Sequence, residues 1–383
     1  MNDVRDSGQD PAPNELPGQI VLVLQGGGAL GSYQAGVYQA LHEAGIEPDW
    51  VIGTSIGAIN ASLIAGNAPE NRLARLTEFW KGMEQKPAWP LRTGVPGFDD
   101  MLGYWSTVTH GITGFFQPNP LAHAGECFPL GADYAGYYST APLESTLREL
   151  VDFRLANCGA PRLTVGAAHV GSSQMRYFDS RDCELTVKHV MASGALPPAF
   201  PAVRIDGELY WDGGILSNSP TEAVFDDNPR RDSLIFSVHL WNPVGAEPTT
   251  IREVLTRHKD VQYSSRIASQ IERQQQAHRL RHVINQLAAR LPESERDDPA
   301  VRELIGYGCS TRMHVVRLLA PQLDRETYTK DIDFSPSGIK QRWDAGYSHT
   351  RSVLARAPWA SQFDPLSGVV LHEHIDQLPL AAE

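Results

Sequence analysis

Two stretches near the N-terminus repeat one pattern: an apolar run, a small-residue turn, then a helix. In the first, "IVLVL" (20–24) passes through Gly26, Gly27, Gly28 and Gly31 into a segment where Leu30, Tyr33, Val37, Leu41 and Ala44 recur at three- and four-residue steps, ended by Gly45. In the second, "DWVIG" (49–53) passes through Thr54 and Ser55 into "SIGAINASLIAG", closed by Gly66. A continuous apolar run suits a strand buried on both faces, and three-to-four spacing marks one buried helix face. Strand, helix, strand, helix in such short order requires parallel strands joined by crossover helices. The expected fold class is therefore α/β with a mainly parallel sheet.

The rest of the chain changes texture twice. From Lys86 to Pro142 proline, glycine and aromatics dominate without clear periodicity, as in "AWPLRTGVPGF" and "YAGYYSTAP". A loop region of this length inside a domain is usually functional or poorly ordered. Order returns with strand-like "RLTVGAAHV" and "MRYFDS", a helix in "VKHVMASGAL", a strand entering a turn in "ELYWDGG", and a buried strand in "SLIFSVHLW". Beyond Asn242 the stretch from Val254 to Leu291 is polar and helix-favouring, with a partial stripe of Ile267, Ile271, Leu280, Val283 and Leu287. "MHVVRLLA" reads as one more strand, and Ser335-Pro336 as the N-cap and first position of a helix. These shifts divide the chain into a disordered lead-in over 1–18, a main domain over 19–241, a mainly helical accessory domain over 242–360 and a tail over 361–383.

Composition narrows the partners. With 33 basic against 45 acidic residues the net charge is −12, which excludes a nucleic-acid binder needing a basic face. Cys127, Cys158, Cys183 and Cys309 are far apart and show no CxxC spacing, the usage of reduced thiols in a cytoplasmic protein, with no metal site expected. The polar, acidic start has neither a basic nor an apolar leader region, so no signal peptide is expected. No apolar stretch reaches the roughly 20 residues a membrane span needs. Any work at a membrane is then peripheral.

Gly53-Thr54-Ser55-Ile56-Gly57 is a G-x-S-x-G nucleophile elbow, placed after a buried strand and before a helix, where such an elbow must sit. Side chains at Gly53 and Gly57 would collide with neighbouring backbone, so glycine keeps Ser55 exposed at the apex. A serine nucleophile needs a base. His239 and His314 lie downstream, each in the middle of a strand-like run, where packed structural histidines are commoner. Asp212 is the better candidate: it follows a short strand and precedes Gly213-Gly214, which sets its carboxylate on a sharp turn at a sheet end. The glycine loop fails as a P-loop, because no Gly-Lys-Ser/Thr follows. As a dinucleotide fingerprint it has the spacing Gly26, Gly28, Gly31, but Asp49 stands at the start of the second strand, and a ribose-binding acid belongs at its end. That end carries Ser55. Backbone amides at a helix N-terminus beside a nucleophile can instead stabilise the oxyanion of a tetrahedral intermediate.

Taken together, "GGGALG" (26–31), "GTSIG" (53–57), "DGG" (212–214) and the approach "ASGALPPAFPAVRIDGELYWDGGILSNSP" (192–220) resemble the patatin-like phospholipase family of serine acylhydrolases. "RHKDVQYSSR" and "DIDFSPSGIKQRWDAGY" look like the additional C-terminal domain of a bacterial subgroup. The resemblance implies a three-layer α/β/α sandwich with a largely helical C-terminal extension. It implies a Ser–Asp dyad without histidine, with Ser55 as nucleophile and Asp212 as base. The amides of Gly27 and Gly28, assisted by Gly26 and Ala29, would form the oxyanion hole. It implies no metal, organic cofactor or nucleotide. One departure is Leu30, where many members carry a basic residue.

The function so implied is hydrolysis of carboxylic ester bonds in phospholipids or related acyl lipids, of phospholipase A or lysophospholipase type, in lipid catabolism at a membrane or lipid-granule surface. Trp89, Trp105, Phe115 and Phe116 would line the acyl channel, rest on the lipid or pack in the core. Two rivals are a soluble esterase or thioesterase acting on small acyl substrates, and a catalytically silent lipid-binding or scaffold protein.

Overall fold

The computed structural model describes residues 16–85, 107, 109–125, 127–264, 267–323 and 326–373. Most of the lead-in expected over 1–18, together with Trp89 and Trp105, lies outside the described residues. Nine strands form one sheet: β1 (Gln19–Leu24), β2 (Trp50–Thr54), β3 (Arg162–His169), β4 (Gln174–Asp179), β5 (Val203–Ile205), β6 (Glu208–Asp212), β7 (Ser233–His239), β8 (Met313–Leu319) and β9 (Val369–His372). Across the sheet the order is β9-β8-β7-β1-β2-β3-β6-β5, with β4 on the remaining edge of β3. The six strands from β9 to β3 run parallel, while β4, β5 and β6 supply the antiparallel pairs.

The apolar runs seen in the sequence are apolar because both faces are covered. Side chains alternate along each strand. Leu22 and Leu24 enter one core with Val51, Phe236, Val238 and Leu318, while Val21 and Val23 enter the other with Trp50, Ile52, Ile235 and Val315. The first core is closed by α1 (Ser32–Glu43), α2 (Ile56–Ala65), α3 (Pro69–Gly82), α4 (Ala141–Leu150) and α5 (Val187–Ser193). Two long helices follow, α6 (Ile251–Ser264) and α7 (Ile267–Arg290), and Ile271 of α7 closes the second core with Phe225. The result is helix layers on both faces of a mostly parallel sheet.

The C-terminal third is largely helical, but it also extends the sheet. β8 pairs with β7 over its whole length, and Val369–His372, within the stretch expected to be a tail, pairs with β8 as β9. The reason is elementary: β7 is buried on both faces, and its outer edge carries backbone groups that need partners. The last long helix, α8 (Pro336–Arg356), starts as the Ser335-Pro336 signal requires, with the Ser335 hydroxyl accepting from the Gly338 amide at 3.1 Å. It lies directly on α1. A Cβ on Gly36 would stand 1.9 Å from the Trp343 carbonyl oxygen, and one on Gly346 would stand 2.1 Å from that of Tyr33. Two glycines facing each other's backbone allow this close crossing.

Part of the aromatic region is packed. Phe116 is buried and Phe115 half-buried, and both meet Phe200, with Tyr138 and Phe334 completing the cluster.

Candidate active site

Ser55 and Asp212 come together because their strands share one edge of β3 and meet head on. β2 climbs β3 as far as Thr54, which pairs with Gly166. β6 descends the same edge in the opposite sense and ends with Asp212 opposite Ala167. The residue after Thr54 and the last residue of β6 therefore face each other across adjacent positions of β3. The Ser55 hydroxyl lies near enough to the Asp212 carboxylate to pull its pKa down.

Ser55 is the N-cap of α2 and has φ 57°, ψ −125°. A non-glycine residue held there costs about 1–3 kcal/mol and persists only where its surroundings fix it. They do: its amide donates to the Ser193 hydroxyl oxygen at 2.9 Å, that hydroxyl donates to the Gly166 carbonyl at 2.6 Å, and the Ser55 carbonyl accepts from Ala58 at 2.9 Å. The elbow glycines make room for the turn. A Cβ on Gly53 would lie 2.2 Å from the Gly57 carbonyl oxygen, and one on Gly57 would lie 2.2 Å from that of Leu24.

Asp212 is 2% exposed. Burial pushes its carboxyl up from 3.8 to about 6, against the opposing pull of the Ser55 hydroxyl and the Gly214 amide. That amide donates to Oδ1 at 2.7 Å, so the turn Gly213-Gly214 bends back to hold the carboxylate. An acid with its pKa near 6 is largely ionised at neutral pH yet basic enough to take a proton from a serine.

The glycine loop follows β1, next to β2 in the sheet. Its carbonyls are tied down: that of Gln25 accepts from Gln34 Nε2 at 2.6 Å, and that of Gly26 from Trp241 Nε1 at 2.8 Å and Asn218 Nδ2 at 3.1 Å. The Gly26 amide, which the resemblance placed among the oxyanion donors, is already bonded to the Asn218 carbonyl at 3.1 Å. The amides of Gly27, Gly28 and Ala29 have no acceptor among the described residues. Gly28 takes φ 57°, a conformation that favours glycine, at the start of a short 3-10 turn ending at Gly31. Gly31 packs against Ile56 of the elbow helix. A Cβ on Gly26 would stand 3.0 Å from that of Ser55, which puts the loop directly beside the serine.

The other sequence candidates lie elsewhere. His239 is fully buried, its Nε2 engages the Ser237 hydroxyl at 2.9 Å, and burial holds its pKa near 3. His314 stacks on His372 with a 3.0 Å nitrogen–nitrogen contact, and burial holds its pKa near 4. Asp49 accepts the Ile20 amide at 2.7 Å and secures the start of β1. Four supporting residues were not singled out in the sequence: Gln25, whose Oε1 takes the Leu240 amide at 2.5 Å, and Asn218, Ser193 and Trp241. Asn218 and Ser193 lie inside the quoted approach to Asp212 and carry a usable signal, polar residues in glycine-rich turns. Gln25 and Trp241 carry none.

Comparison with known proteins finds a family and relatives at low identity. A family model for patatin-like phospholipase matches residues 22–225, and a second, described as patatin phospholipase, matches 261–366. The mouse patatin-like phospholipase domain-containing protein 7 is 25% identical over 205 residues, 54% of this chain and 12% of that protein. An uncharacterised NTE family protein of Mycobacterium tuberculosis (strain CDC 1551 / Oshkosh) is 28% identical over 254 residues, 61% of this chain and 34% of the other. The chain thus spans only a small part of the length of the curated relatives it matches. Among solved structures, VipD from Legionella pneumophila aligns with a TM-score of 0.36 and 16% identity, covering 88% of this chain and 67% of that one. The first family model takes in more than half of the residues, including the second half of β1, the glycine loop, Ser55 and Asp212, and the chain belongs to the patatin-like phospholipase family.

Proposed function

We propose that the chain is a cytoplasmic lipid acylhydrolase of phospholipase A or lysophospholipase type, working through a Ser55–Asp212 dyad. The observation that carries this reading is the Ser55 hydroxyl set against a buried carboxylate with a pKa near 6, beside glycine amides that have no acceptor among the described residues. Ser55 Oγ attacks the ester carbonyl carbon while its proton passes to Asp212. The carbonyl oxygen takes the negative charge and receives hydrogen bonds from Gly27 and Gly28, with Ala29 next in line. Asp212 then protonates the departing alkoxide, which leaves Ser55 acylated. A water molecule attacks the acyl-enzyme as Asp212 takes its proton, and Ser55 regains that proton as the fatty acid departs. His239 and His314, bonded elsewhere, have no part in this cycle.

A feature beside the site favours lipid aggregates over small soluble esters. α6 is built inside out: Thr256, Asp260 and Ser264 face the protein, while Ile251, Val254, Leu255 and Val261 are exposed. Its C-terminal end touches the site, since the Tyr263 carbonyl accepts from Asn218 Nδ2 at 3.4 Å, and Ile215 just beyond Asp212 is also exposed. A surface helix ordinarily shows the reverse arrangement. An outward apolar face on a helix whose end reaches the site suits an enzyme whose substrate lies in a lipid surface. No helix among the described residues is long and apolar enough to cross a membrane, so the contact proposed is peripheral.

The test compares wild type with Ser55→Ala on phospholipid below and above its aggregation threshold, and on a short monomeric ester. Ser55→Ala should abolish hydrolysis and fluorophosphonate labelling, and wild-type activity should rise at the threshold. Surviving activity in the alanine variant would sink the dyad. Equal turnover of monomeric and aggregated substrate would favour the soluble esterase.

A further inference from the structure

The glycine loop is pressed from behind by a segment that lies more than a hundred residues beyond Asp212. The carbonyl oxygen of Asp331 stands 2.2 Å from where a Cβ on Gly28 would be, so the two backbones are in direct contact. Asp331 sits in a short 3-10 turn, Lys330–Ile332, which is fastened to α6 by two ion pairs. The same dipeptide, Lys-Asp, occurs at 259–260 in α6 and at 330–331 in the turn, and the two copies pair crosswise. Lys330 Nζ meets Asp260 Oδ1 at 2.8 Å, with side chains only 5% and 10% exposed. Lys259 Nζ meets the Asp331 carboxylate at 2.7 and 2.9 Å nearer the surface.

The buried pair also reaches the loop by other routes. The Lys330 ammonium lies 5.1 Å over the Trp241 ring, and Trp241 Nε1 holds the Gly26 carbonyl. Leu30, on the far side of the loop, lines one small cavity with Asp260 and Lys330. One turn along α6, the Tyr263 carbonyl receives Gln25 Nε2 at 3.3 Å and Asn218 Nδ2. A buried ion pair adds little net stability, because desolvation offsets attraction, but it holds its partners in one geometry.

We propose that Asp260 and Lys330 are positioning residues for the oxyanion hole: their buried pair sets the Asp331 carbonyl against Gly28 and so aims the Gly27 and Gly28 amides at the developing negative charge. The inference rests on the acyl-transfer reading above. Donors of this kind act on the transition state far more than on the bound ester, so loosening them lowers kcat and leaves KM nearly unchanged.

The experiment uses the full chain and three variants: Lys330→Met, the double variant Asp260→Asn/Lys330→Met, and Lys259→Gln at the outer pair. Each is assayed on phospholipid for kcat and KM, with fluorophosphonate labelling of Ser55 and thermal melting alongside. Loss of one oxyanion donor typically costs about 10²–10³ in kcat, and a misaimed pair should cost at least tenfold. Lys330→Met should show that loss with KM within about twofold, and labelling should slow in parallel. The double variant should be no worse than the single, because the two side chains act as one unit. If Lys330→Met fails to fold on its unpaired carboxylate, the double variant removes both charges. Lys259→Gln, at a half-exposed pair, keeps the fold in any case and should lower kcat several-fold. Folded variants with wild-type kcat and labelling, or losses carried wholly by KM, overturn the inference. Activity surviving in Ser55→Ala would instead overturn the underlying reading, and the two failures are told apart by that control.

Discussion

At the scale of single residues, the buried carboxyl of Asp212 carries a stability cost. Its pKa is raised from 3.8 to about 6 by burial. Between those values the folded protein keeps a proton that the unfolded chain has released, so stability falls as pH rises through that window. The cost is fully present at pH 7 and amounts to about 3 kcal/mol. Asp212→Asn should therefore abolish hydrolysis while raising Tm at pH 7, with the gain shrinking toward pH 4. Melting curves at the two pH values decide it; a variant that melts lower at pH 7 would show the carboxylate to be a stabilising group. The same pKa sets an acid limb in kcat/KM with its midpoint near pH 6. Ser55, Asp212 and the glycines were legible in the sequence because each sits in a turn whose geometry demands glycine at fixed offsets. Gln25 and Trp241 were not, since they meet 216 residues apart along the chain and only the fold brings Oε1 to that amide.

Elements were legible where a single physical demand fixed the local pattern. Strands buried on both faces had to be apolar throughout, and β1, β2, β3 and β7 read so. The Ser335-Pro336 start of α8 read correctly because capping is a local affair. The contact between α1 and α8 did not read, since it depends on two glycines in helices whose residues Gln39 and Trp343 are 304 positions apart. It yields its own expectation. Gly346→Ala would drive a methyl group into the Tyr33 carbonyl, and overpacking of this kind costs about 1–3 kcal/mol. The variant should melt lower and expose α8 to limited proteolysis before the rest of the chain is cut. Wild-type melting would mean that the helices can shift apart freely.

For the whole molecule, the change of texture at Asn242 looked like a boundary, and the sheet runs straight through it. Composition reports what a segment exposes, and the C-terminal third exposes long polar helices while contributing only short strands to the interior. A chain ending at Trp241 would leave β7 as an open edge and uncover Val21, Val23 and Ile235, which now pack against Met313, Val315 and Ile271. Such an edge is a template for aggregation. The truncated chain should be recovered as insoluble material without fluorophosphonate labelling, and a soluble, labelled product would show the first 241 residues to be self-sufficient.

The contact between Gly28 and Asp331 has a consequence in time. A ribosome delivers Ser55 before the segment that braces its neighbouring loop. Until residue 331 has left the exit tunnel, the nascent polypeptide holds a serine and a carboxylate but no braced loop beside them. The order of synthesis thus leaves the loop beside Ser55 without its brace until residues 330–332 have emerged.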